Sequence, residues 1–372
     1  MPMRFEIEQT AGQARAGMLH TAHGSIPTPV FAPVGTQATV KAVTVEQLQH
    51  LGASLILGNT YHLYLRPGAE RVQRLGGLHA FMGWTGPILT DSGGYQVFSL
   101  AETRRIDADG VTFRSHIDGS SHRLTPEVAI AIQQALGADI IMAFDECAPP
   151  SDRRYNEQAM ARTHAWAERC LSAHRSGAQA LFGIVQGGVF PDLRRESAQF
   201  IASLPFAGVA IGGLSVGETK DEMHAMLEVV TPELPPALPR YLMGVGSPED
   251  LVEAVVRGID MFDCVLPTRM ARNHAALTLR GRLNLRNAVF ADDPRPIDET
   301  CDCATCQHHS RAYLRHLMVA QEILAATLVS IHNLRMLIRL TEQLRQAILD
   351  GSLAECAAAF RHSYRKHRSP ES

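Results

Sequence analysis

Three cysteines near the C-terminal end of the sequence could bind a metal ion. Cys301, Cys303 and Cys306 lie within six residues of one another, and structural zinc is held by four soft or borderline ligands in a tetrahedron. Sequence spacing leaves four histidines open as the fourth ligand: His308, His309, His316 and His332. A closed set of four ligands predicts one structural zinc ion, because a catalytic zinc keeps a position open. The odd total of seven cysteines also favours a metal site over a disulfide framework.

Two aspartates follow short apolar runs and could do acid–base or covalent chemistry. Asp91 precedes Ser92 and the pair Gly93 and Gly94, and glycines let backbone approach a ligand closely. Asp263 follows a second short apolar run. Two carboxylates that face one cleft suit glycosyl chemistry, in which one attacks the anomeric carbon and the other handles the proton of the leaving group. The competing interpretation is that each aspartate caps a helix or fills a turn.

Seven apolar runs that end in polar or glycine-rich turns predict strands. They cover residues 54–57, 87–90, 140–144, 181–185, 209–211, 241–243 and 261–262. Capped helical patterns lie among them, over residues 125–137, 156–174, 192–204 and 247–258. This alternation predicts a parallel α/β sheet with right-handed crossovers.

The number of strands favours an irregular (β/α)8 TIM barrel over an open doubly wound sheet. No dinucleotide-type glycine fingerprint follows the first strand, which also argues against the open sheet. Catalytic groups of such barrels sit at the carboxyl ends of the strands. The strand-end candidates are Asn59, Asp91, Asp145, Gln186 and Asp263.

The character of the sequence changes near residue 300. We expect residues 1–299 to form a TIM-barrel catalytic domain. Residues 300–372 should form a zinc-binding subdomain with closing C-terminal helices over residues 312–328 and 331–349.

The net charge of −3 argues weakly against a nucleic-acid partner, but local distribution matters more. One basic stretch contains Arg269, Arg272, Arg280, Arg282 and Arg286, and another contains Arg361, Arg365, Lys366 and Arg368. A solvated surface is the ordinary interpretation of either stretch. Two such stretches on one chain make an RNA-binding surface a reasonable hypothesis.

The first six residues contain no apolar segment of the kind found in secretory signals. No apolar run in the sequence approaches the length needed to span a membrane. We therefore expect a cytoplasmic protein with no membrane partner.

Several motifs occur in an order that resembles the tRNA-guanine transglycosylase family. They are residues 91–94, 144–147, 185–188, 212–214, 243–246 and 261–269. The resemblance runs from His23 and Gly24 through residues 33–36 to the zinc segment. It implies exchange of the wobble guanine of tRNA for 7-aminomethyl-7-deazaguanine, a step of queuosine biosynthesis.

The resemblance also implies roles for individual residues. Asp263 would be the nucleophile that forms a covalent enzyme–RNA intermediate, and Asp91 would be the general acid and base. Substrate-binding residues would be Asp91, Ser92, Gly93, Gly94, Tyr95, Asp145, Gln186, Gly213, Leu214 and Met243. Among these, Asp145, Gln186 and the backbone at Gly213 and Leu214 would read the edges of the base, while Tyr95 and Met243 would cover its faces.

Contacts to RNA and to the metal follow from the same resemblance. The implied RNA-binding residues are Gly244, Val245, Gly246, Ser247, Pro248, Glu249, Asp250, Thr268, Arg269, Met270, Ala271 and Arg272. The implied zinc ligands are Cys301, Cys303, Cys306 and His332. The family uses no nucleotide cofactor and forms homodimers, and Cys147 and Val216 resemble its bacterial branch.

Two other functions compete with this interpretation. A barrel hydrolase with a catalytic zinc would draw metal ligands from several strand ends, whereas these cysteines are clustered locally. A non-catalytic RNA-binding subunit of a transglycosylase would be expected to lose one catalytic carboxylate, yet Asp91 and Asp263 are both present.

Overall fold

The computed structural model describes residues 3–100, 104–175 and 177–366. Its strands are β1 (Arg4–Ala11), β2 (Ala14–Thr21), β3 (Gly24–Thr28), β4 (Val30–Gly35), β5 (Ile56–Gly58), β6 (Ile88–Thr90), β7 (Arg104–Ile106), β8 (Val111–Arg114), β9 (Ser121–Leu124), β10 (Ile140–Met142), β11 (Ala180–Val185), β12 (Gly208–Ile211), β13 (Arg240–Leu242), β14 (Met261–Cys264), β15 (Ala275–Thr278) and β16 (Gly281–Asn284). Its helices are α1 (Val45–His50), α2 (Thr60–Leu65), α3 (Ala69–Arg74), α4 (Gly77–Met82), α5 (Gly94–Leu100), α6 (Pro126–Leu136), α7 (Arg153–Ala173), α8 (Pro191–Ser203), α9 (Lys220–Val230), α10 (Pro248–Val256), α11 (Leu266–Arg272), α12 (Ala304–His308), α13 (Arg311–Val319), α14 (Ile323–Leu349) and α15 (Leu353–Lys366). Single 3-10 turns cover Thr231–Glu233 and Ala288–Phe290.

Eight parallel strands close into a barrel, which confirms the predicted fold class. Around the barrel the order is β4, β5, β6, β10, β11, β12, β13 and β14, and β14 pairs with β4 to close it. Smaller antiparallel sheets are formed by β1–β3, by β7–β9 and by the hairpin β15–β16. The barrel strands follow chain order because each crossover returns the chain to the next position in the same direction.

Strand β11 shows why the barrel strands are apolar throughout. Phe182 and Ile184 point into the barrel with the other interior side chains, whereas Leu181 and Val185 pack against the outer helices. Both faces of the strand are therefore buried, which produces a continuous apolar run without polar alternation.

The sequence prediction missed the eighth barrel strand, β4. Seven strands lie where the apolar runs predicted them, but β4 is preceded by Pro29 and contains Pro33. Proline lacks an amide donor and ordinarily argues against a strand inside a sheet. Here Pro33 lies opposite Cys264 near the end of the pairing with β14, so little of the ladder is lost.

Two of the helices between the strands, α6 and α10, begin at their predicted caps. The Thr125 hydroxyl accepts from the amide of Val128, and Gly137 ends α6 in the left-handed conformation. The Ser247 hydroxyl caps α10 in the same way. Helix α7 begins earlier than predicted because Asp152 caps it.

The predicted break between the two C-terminal helices was wrong. The chain turns between α13 and α14, where Gln321 has a φ of 59°, and α14 then continues through residues 329 and 330. No glycine or proline marks the turn at residues 320–322, so no breaker residue predicts the turn there. Helix α15 was not predicted, and residues 367–372 lie outside the described part of the chain.

Helix α14 belongs to the outer layer of the barrel. The side-chain amide of Asn333 donates to the carbonyls of Pro267 and Ala275 and accepts from the amide of Leu277. Arg345 donates to the carbonyls of Gly17 and Thr28. Helix α14 is long and apolar enough to cross a membrane, but 67% of its most apolar window is buried inside the fold. A domain division at residues 299 and 300 stays a prediction.

Candidate functional site

The five strand-end candidates all lie at the carboxyl end of the barrel. Asn59 and Asp91 follow β5 and β6, Asp145 follows β10, Gln186 follows β11, and Asp263 lies in the last part of β14. Hydrogen bonds join Asn59 to Asp91 and Gln186 to Asp145. The strand-end rule therefore brought together residues from five different strands.

Neutral donors hold both oxygens of the Asp91 carboxylate. Oδ1 accepts from the amide of Thr60 at 2.7 Å, and Oδ2 accepts from Asn59 Nδ2 at 2.6 Å and Gln96 Nε2 at 2.8 Å. Burial raises the pKa of Asp91 above its ordinary value, although these three bonds act in the opposite direction. A buried carboxyl group with a raised pKa can exchange protons near neutral pH.

Asp263 is held through one oxygen only. Oδ1 accepts from the Tyr241 hydroxyl at 2.5 Å and from the amide of Gly244 at 2.8 Å. In the described part of the chain, Oδ2 has no hydrogen-bond donor. Burial raises the pKa of Asp263 to about 6, and the charge of Asp91 adds to this effect. Burial also holds the pKa of Tyr241 well above 10, so this hydroxyl stays a donor.

Asp145 and Gln186 form a second polar pair at the same end of the barrel. Asp145 accepts from Ser92 Oγ at 2.8 Å and from Gln186 Nε2 at 2.7 Å. Burial raises the pKa of Asp145 to about 6, and Asp91 again contributes. The backbone amide of Gln186 donates in turn to the Ser197 hydroxyl of α8 at 3.0 Å.

These three aspartates share an unusual electrostatic environment. In the described part of the chain none of them has a basic side chain within 4.0 Å. Asp260 at the opposite end of β14 differs, because the buried Arg15 forms an ion pair with it. A buried negative charge without a counterion costs stability, so the three carboxylates are candidates for chemistry. Asp260, which is paired, is structural.

Two glycines of the site have no room for a side chain. A Cβ atom on Gly94 would lie 2.5 Å from the carbonyl oxygen of Asp145. Gly213 has a φ of 63°, and a Cβ atom there would collide with Gln186 Oε1. Glycine is required at both positions because the backbone passes directly against the polar groups.

The side chains predicted to cover the faces of a base are accessible. Tyr95 is 53% exposed at the start of α5, and Met243 is half-buried after β13. Leu214, by contrast, is buried, so its backbone rather than its side chain is what a ligand could meet.

The two segments predicted to contact RNA differ in exposure. In residues 244–250 only Gly244 is exposed, and Lys220 forms ion pairs with Glu249 and Asp250 at 3.0 and 2.9 Å. In residues 268–272 the exposed residues are Arg269 and Arg272. Within the described residues neither arginine has a carboxylate within 4.0 Å.

In the second basic stretch, the charge of Arg361 is paired with a carboxylate and is therefore less available to RNA than the sequence suggested. Arg361 forms an ion pair with Glu253, at 2.6 Å. Arg368 and the side chains of Arg365 and Lys366 lie outside the described part of the chain.

Cys301, Cys303, Cys306 and His332 come together in a cluster that could hold a metal ion. Their ligand atoms all lie within 4.8 Å of one another, and His332 Nδ1 lies 3.8 Å from Cys303 Sγ and 3.3 Å from Cys306 Sγ. Tetrahedral zinc requires ligand atoms about 3.5–3.8 Å apart. His332 Nε2 lies 2.7 Å from the carbonyl oxygen of Leu277, which orients the ring with Nδ1 toward the sulfurs.

A second cluster, of His23, His79 and Asp139, lies at the opposite end of the barrel. Asp139 contacts both imidazoles and accepts from the amide of Ile88 at 2.9 Å. The two rings are stacked, with centroids 3.6 Å apart and planes 20° apart. A metal ion must lie near the plane of each coordinating imidazole, and stacked rings share no such position. This cluster therefore joins the turn before β3, helix α4 and the residue before β10, and it is not a metal centre.

Sequence reasoning missed the roles of three groups at the site. The Tyr241 hydroxyl and the Gly244 amide support Asp263, although Gly244 was expected to contact RNA. Arg194 of α8 is completely buried beneath the loops after β11 and β12. One signal for Arg194 was available: a cation in the first turn of a helix opposes the helix dipole.

Comparison with known proteins identifies relatives along most of the chain. The family model described as queuine tRNA-ribosyltransferase matches residues 10–366. A queuine tRNA-ribosyltransferase of Herpetosiphon aurantiacus is 62% identical over 93% of this chain and 88% of its own. Proteins of the same description from Symbiobacterium thermophilum and Caldanaerobacter subterraneus are 60% and 58% identical, over 97% and 96% of this chain and 91% and 96% of their own.

Proposed function

Because the chain belongs to the queuine tRNA-ribosyltransferase family, we propose that it exchanges the wobble guanine of tRNA for 7-aminomethyl-7-deazaguanine by double displacement. The family assignment makes the protein a pentosyltransferase of queuosine biosynthesis. The observation that carries the proposed mechanism is the pair of buried carboxylates, Asp91 and Asp263, at the barrel mouth. Neither has a basic side chain within 4.0 Å among the described residues.

The two carboxylates are suited to different roles. Asp263 keeps Oδ2 free while two donors fix Oδ1, so Oδ2 is the atom available to attack the anomeric carbon of the target ribose. Attack forms an ester between Asp263 and the ribose and breaks the bond to guanine. A second displacement by the incoming base at the same carbon releases Asp263 and retains the configuration.

Asp91 is suited to carry the proton. Three neutral donors hold its carboxylate in place, and burial raises its pKa. In the first displacement Asp91 gives a proton to the departing guanine, and in the second it takes one from the incoming base. No nucleotide cofactor is needed in this scheme, because the ester stores the glycosyl bond.

The remaining polar groups of the site would bind the base. Asp145 and Gln186 present a coupled carboxylate and amide, and Gly213 and Leu214 present backbone amides beside them. Tyr95 and Met243 would cover the two faces of the ring. The target nucleotide must leave its stack to reach this position, as in other base-processing enzymes.

The tRNA would be held at the rim of the barrel. Arg269 and Arg272 lie on α11, directly after the strand that carries Asp263, and both are exposed. They would contact phosphates. Of residues 244–250, the exposed Gly244 is the best placed to meet RNA, because the acidic side chains beyond it pair with Lys220.

The Cys3His cluster would hold one structural zinc ion. Thiolates and an imidazole suit zinc, and four protein ligands leave no open coordination position. When bound, the ion would cross-link α12 to α14 and thereby fix helix α14 against the barrel.

We also propose that the protein is a cytoplasmic homodimer. Four exposed apolar side chains on α13 and at the start of α14 support the dimer: Tyr313, Val319, Ile323 and Leu324 are 39%, 52%, 83% and 45% exposed. Light scattering at micromolar concentration should give a dimer mass for the native chain and a monomer mass for Ile323→Asp. Val128→Asp, on the remote helix α6, should remain dimeric, and a monomeric native chain would contradict the proposal.

Incorporation of radiolabelled guanine into an unmodified tRNA tests the activity. The native protein should incorporate label and Asp263→Asn should not. On a denaturing gel, the native protein should also form an enzyme–RNA species that the variant cannot form. No incorporation by a folded, zinc-loaded native protein would refute the transferase and favour a non-catalytic RNA-binding subunit.

A further inference from the structure

Arg194 meets backbone carbonyls from two neighbouring strand-end loops. Its side chain is 0% exposed. Nε donates to the carbonyl of Gly188 at 2.7 Å, Nη1 to that of Gly212 at 2.7 Å, and Nη2 to that of Gly213 at 2.9 Å. In the described part of the chain no carboxylate lies within 4.0 Å of this guanidinium.

A buried cation without a paired anion is costly to the fold. Burial lowers the pKa of Arg194 to about 10, which still leaves it charged at neutral pH. Arg15, at the other end of the barrel, is paired with Asp260 instead. The carbonyl dipoles of the two loops take the place of the missing anion, so the charge and the loop conformation depend on each other.

Peptide geometry links these contacts to the binding site. In a trans peptide unit the carbonyl and the following amide point in opposite directions. Since the carbonyls of Gly212 and Gly213 point at Arg194, the amides of Gly213 and Leu214 point away from it. Neither amide has an acceptor among the described residues, so both are free to donate to a ligand.

Helix α8 supports Gln186 as well. Ser197, one turn after Arg194, accepts from the Gln186 backbone amide at 3.0 Å. The Gln186 side chain lies directly against Gly213, where a Cβ atom would collide with its Oε1. A shift of the Gly213 loop would therefore displace the Gln186 amide that is bonded to Asp145.

We propose that Arg194 is a positioning residue for base recognition, which fixes the amides of Gly213 and Leu214 and the side chain of Gln186 toward a bound purine-like base. This inference rests on the proposed function. A free base makes all of its contacts in this pocket, whereas tRNA also has contacts to phosphates and loop nucleotides. Disturbing Arg194 should therefore raise the KM for free base more than the KM for tRNA.

Arg194→Lys tests this role, because lysine keeps the charge but cannot reach three separate carbonyls with a planar fork. Arg240 offers a matched control at the opposite end of the barrel. It is also buried, its pKa is also lowered to about 10 by burial, and it donates to the carbonyls of Leu234 and Gly258 at 3.3 and 3.4 Å. Arg240→Lys should lower stability without changing base recognition.

We expect Arg194→Lys to raise the KM for guanine about tenfold, as the loss of one well-placed hydrogen bond would. The KM for tRNA should change by less than about threefold. Arg240→Lys should leave the KM for guanine unchanged. Melting temperatures of both variants would show that the two lose comparable stability.

Several results would overturn the inference. One is an equal KM for guanine in Arg194→Lys and Arg240→Lys, and another is a parallel rise of the KM values for guanine and tRNA. If Arg194→Lys does not fold, Arg194→Gln replaces it. If Arg194→Lys and Arg194→Gln both fail to fold while Arg240→Lys folds, Arg194 is required for folding and is not a positioning residue. A native protein that neither exchanges nor binds guanine would refute the proposed function as well. Normal exchange by the native protein, with no change in the KM for guanine of the Arg194 variants, would refute only this inference.

Discussion

Tyr241→Phe removes one of the two donors that hold Asp263 Oδ1, and the loss should appear in the pH dependence of the reaction. The nucleophile must be ionised, and its pKa is already about 6 because it is buried. The Tyr241 hydroxyl lowers this pKa, so its removal raises it. A hydrogen bond to a carboxylate contributes about 1.5 kcal/mol at the low end, which corresponds to about one pKa unit.

The acidic limb of kcat/KM should therefore move upward by about one pH unit, from near pH 6 to near pH 7. The rate would fall about eightfold at pH 5.5 and about twofold at pH 7, with almost no change at pH 8.5. Initial rates of guanine exchange between pH 5 and pH 9 measure this shift. Tyr64→Phe, which removes a hydroxyl bonded to His122 at 3.0 Å, should leave the limb in place.

Two outcomes would refute the reasoning about Tyr241. An unshifted acidic limb would mean that Asp263 does not titrate in the rate-determining step. A rate that falls by the same factor at every pH would mean that the hydroxyl orients Asp263 without changing its charge equilibrium.

Three further predictions concern stability, metal and RNA. Asp263→Asn should stabilise the fold at pH 8 by about 1–3 kcal/mol, and this gain should vanish below about pH 4, because a carboxyl whose folded pKa is raised opposes folding only while it is ionised. Denaturant unfolding at pH 8 and pH 4 measures the gain in stability, and an equal gain at pH 4 would contradict the prediction. Cys303→Ser should lose zinc and cooperative unfolding. Cys170→Ser, which changes a buried cysteine outside the cluster, should keep both. Metal analysis and thermal melts measure these outcomes, and a stable fold that loses only turnover would indicate a catalytic zinc. Arg272→Ala should raise the KM for tRNA and leave the KM for guanine unchanged. It should also reduce the steepness of the plot of log tRNA-binding constant against log salt concentration by about 0.7–0.9. An unchanged slope would show that this arginine does not contact RNA phosphates.

The barrel was predictable from sequence because its strands are buried on both faces and its helices carry clear caps. Strand β4 was not, because Pro29 directly precedes it and Pro33 lies within it, and proline usually argues against a strand inside a sheet. The turn at residues 320–322 was missed for the opposite reason, since it contains neither glycine nor proline. Glu322, at the N-terminal cap of α14, makes no side-chain cap hydrogen bond, so the sequence lacks a cap signal for that helix as well.

The candidate site was predictable to the extent that strand ends determine it. Asp91, Asp145 and Asp263 came from that rule and from the family resemblance. Arg194 could not be found by the same rule, because it lies on a helix and acts through backbone carbonyls. Spacing alone left the fourth member of the cysteine cluster open, because four histidines fit it. The family resemblance selected His332, and the path of α14 places His332 beside the sulfurs.

The charge distribution of the molecule presents an apparent conflict that the proposed chemistry resolves. Three carboxylates that have no counterion in the described part of the chain line the barrel mouth, yet the proposed substrate is a polyanion that they should repel. The exposed Arg269 and Arg272 lie one helix beyond Asp263, so attraction for phosphates is placed at the rim. Inside, the transition state of glycosyl transfer develops positive charge on the ribose. Unpaired carboxylates stabilise that charge, and an arginine or lysine beside Asp91 or Asp263 would oppose it. Introducing a lysine within reach of these carboxylates, by Gln96→Lys, should therefore slow exchange more than Gln96→Ala does, and the reverse order would contradict this account.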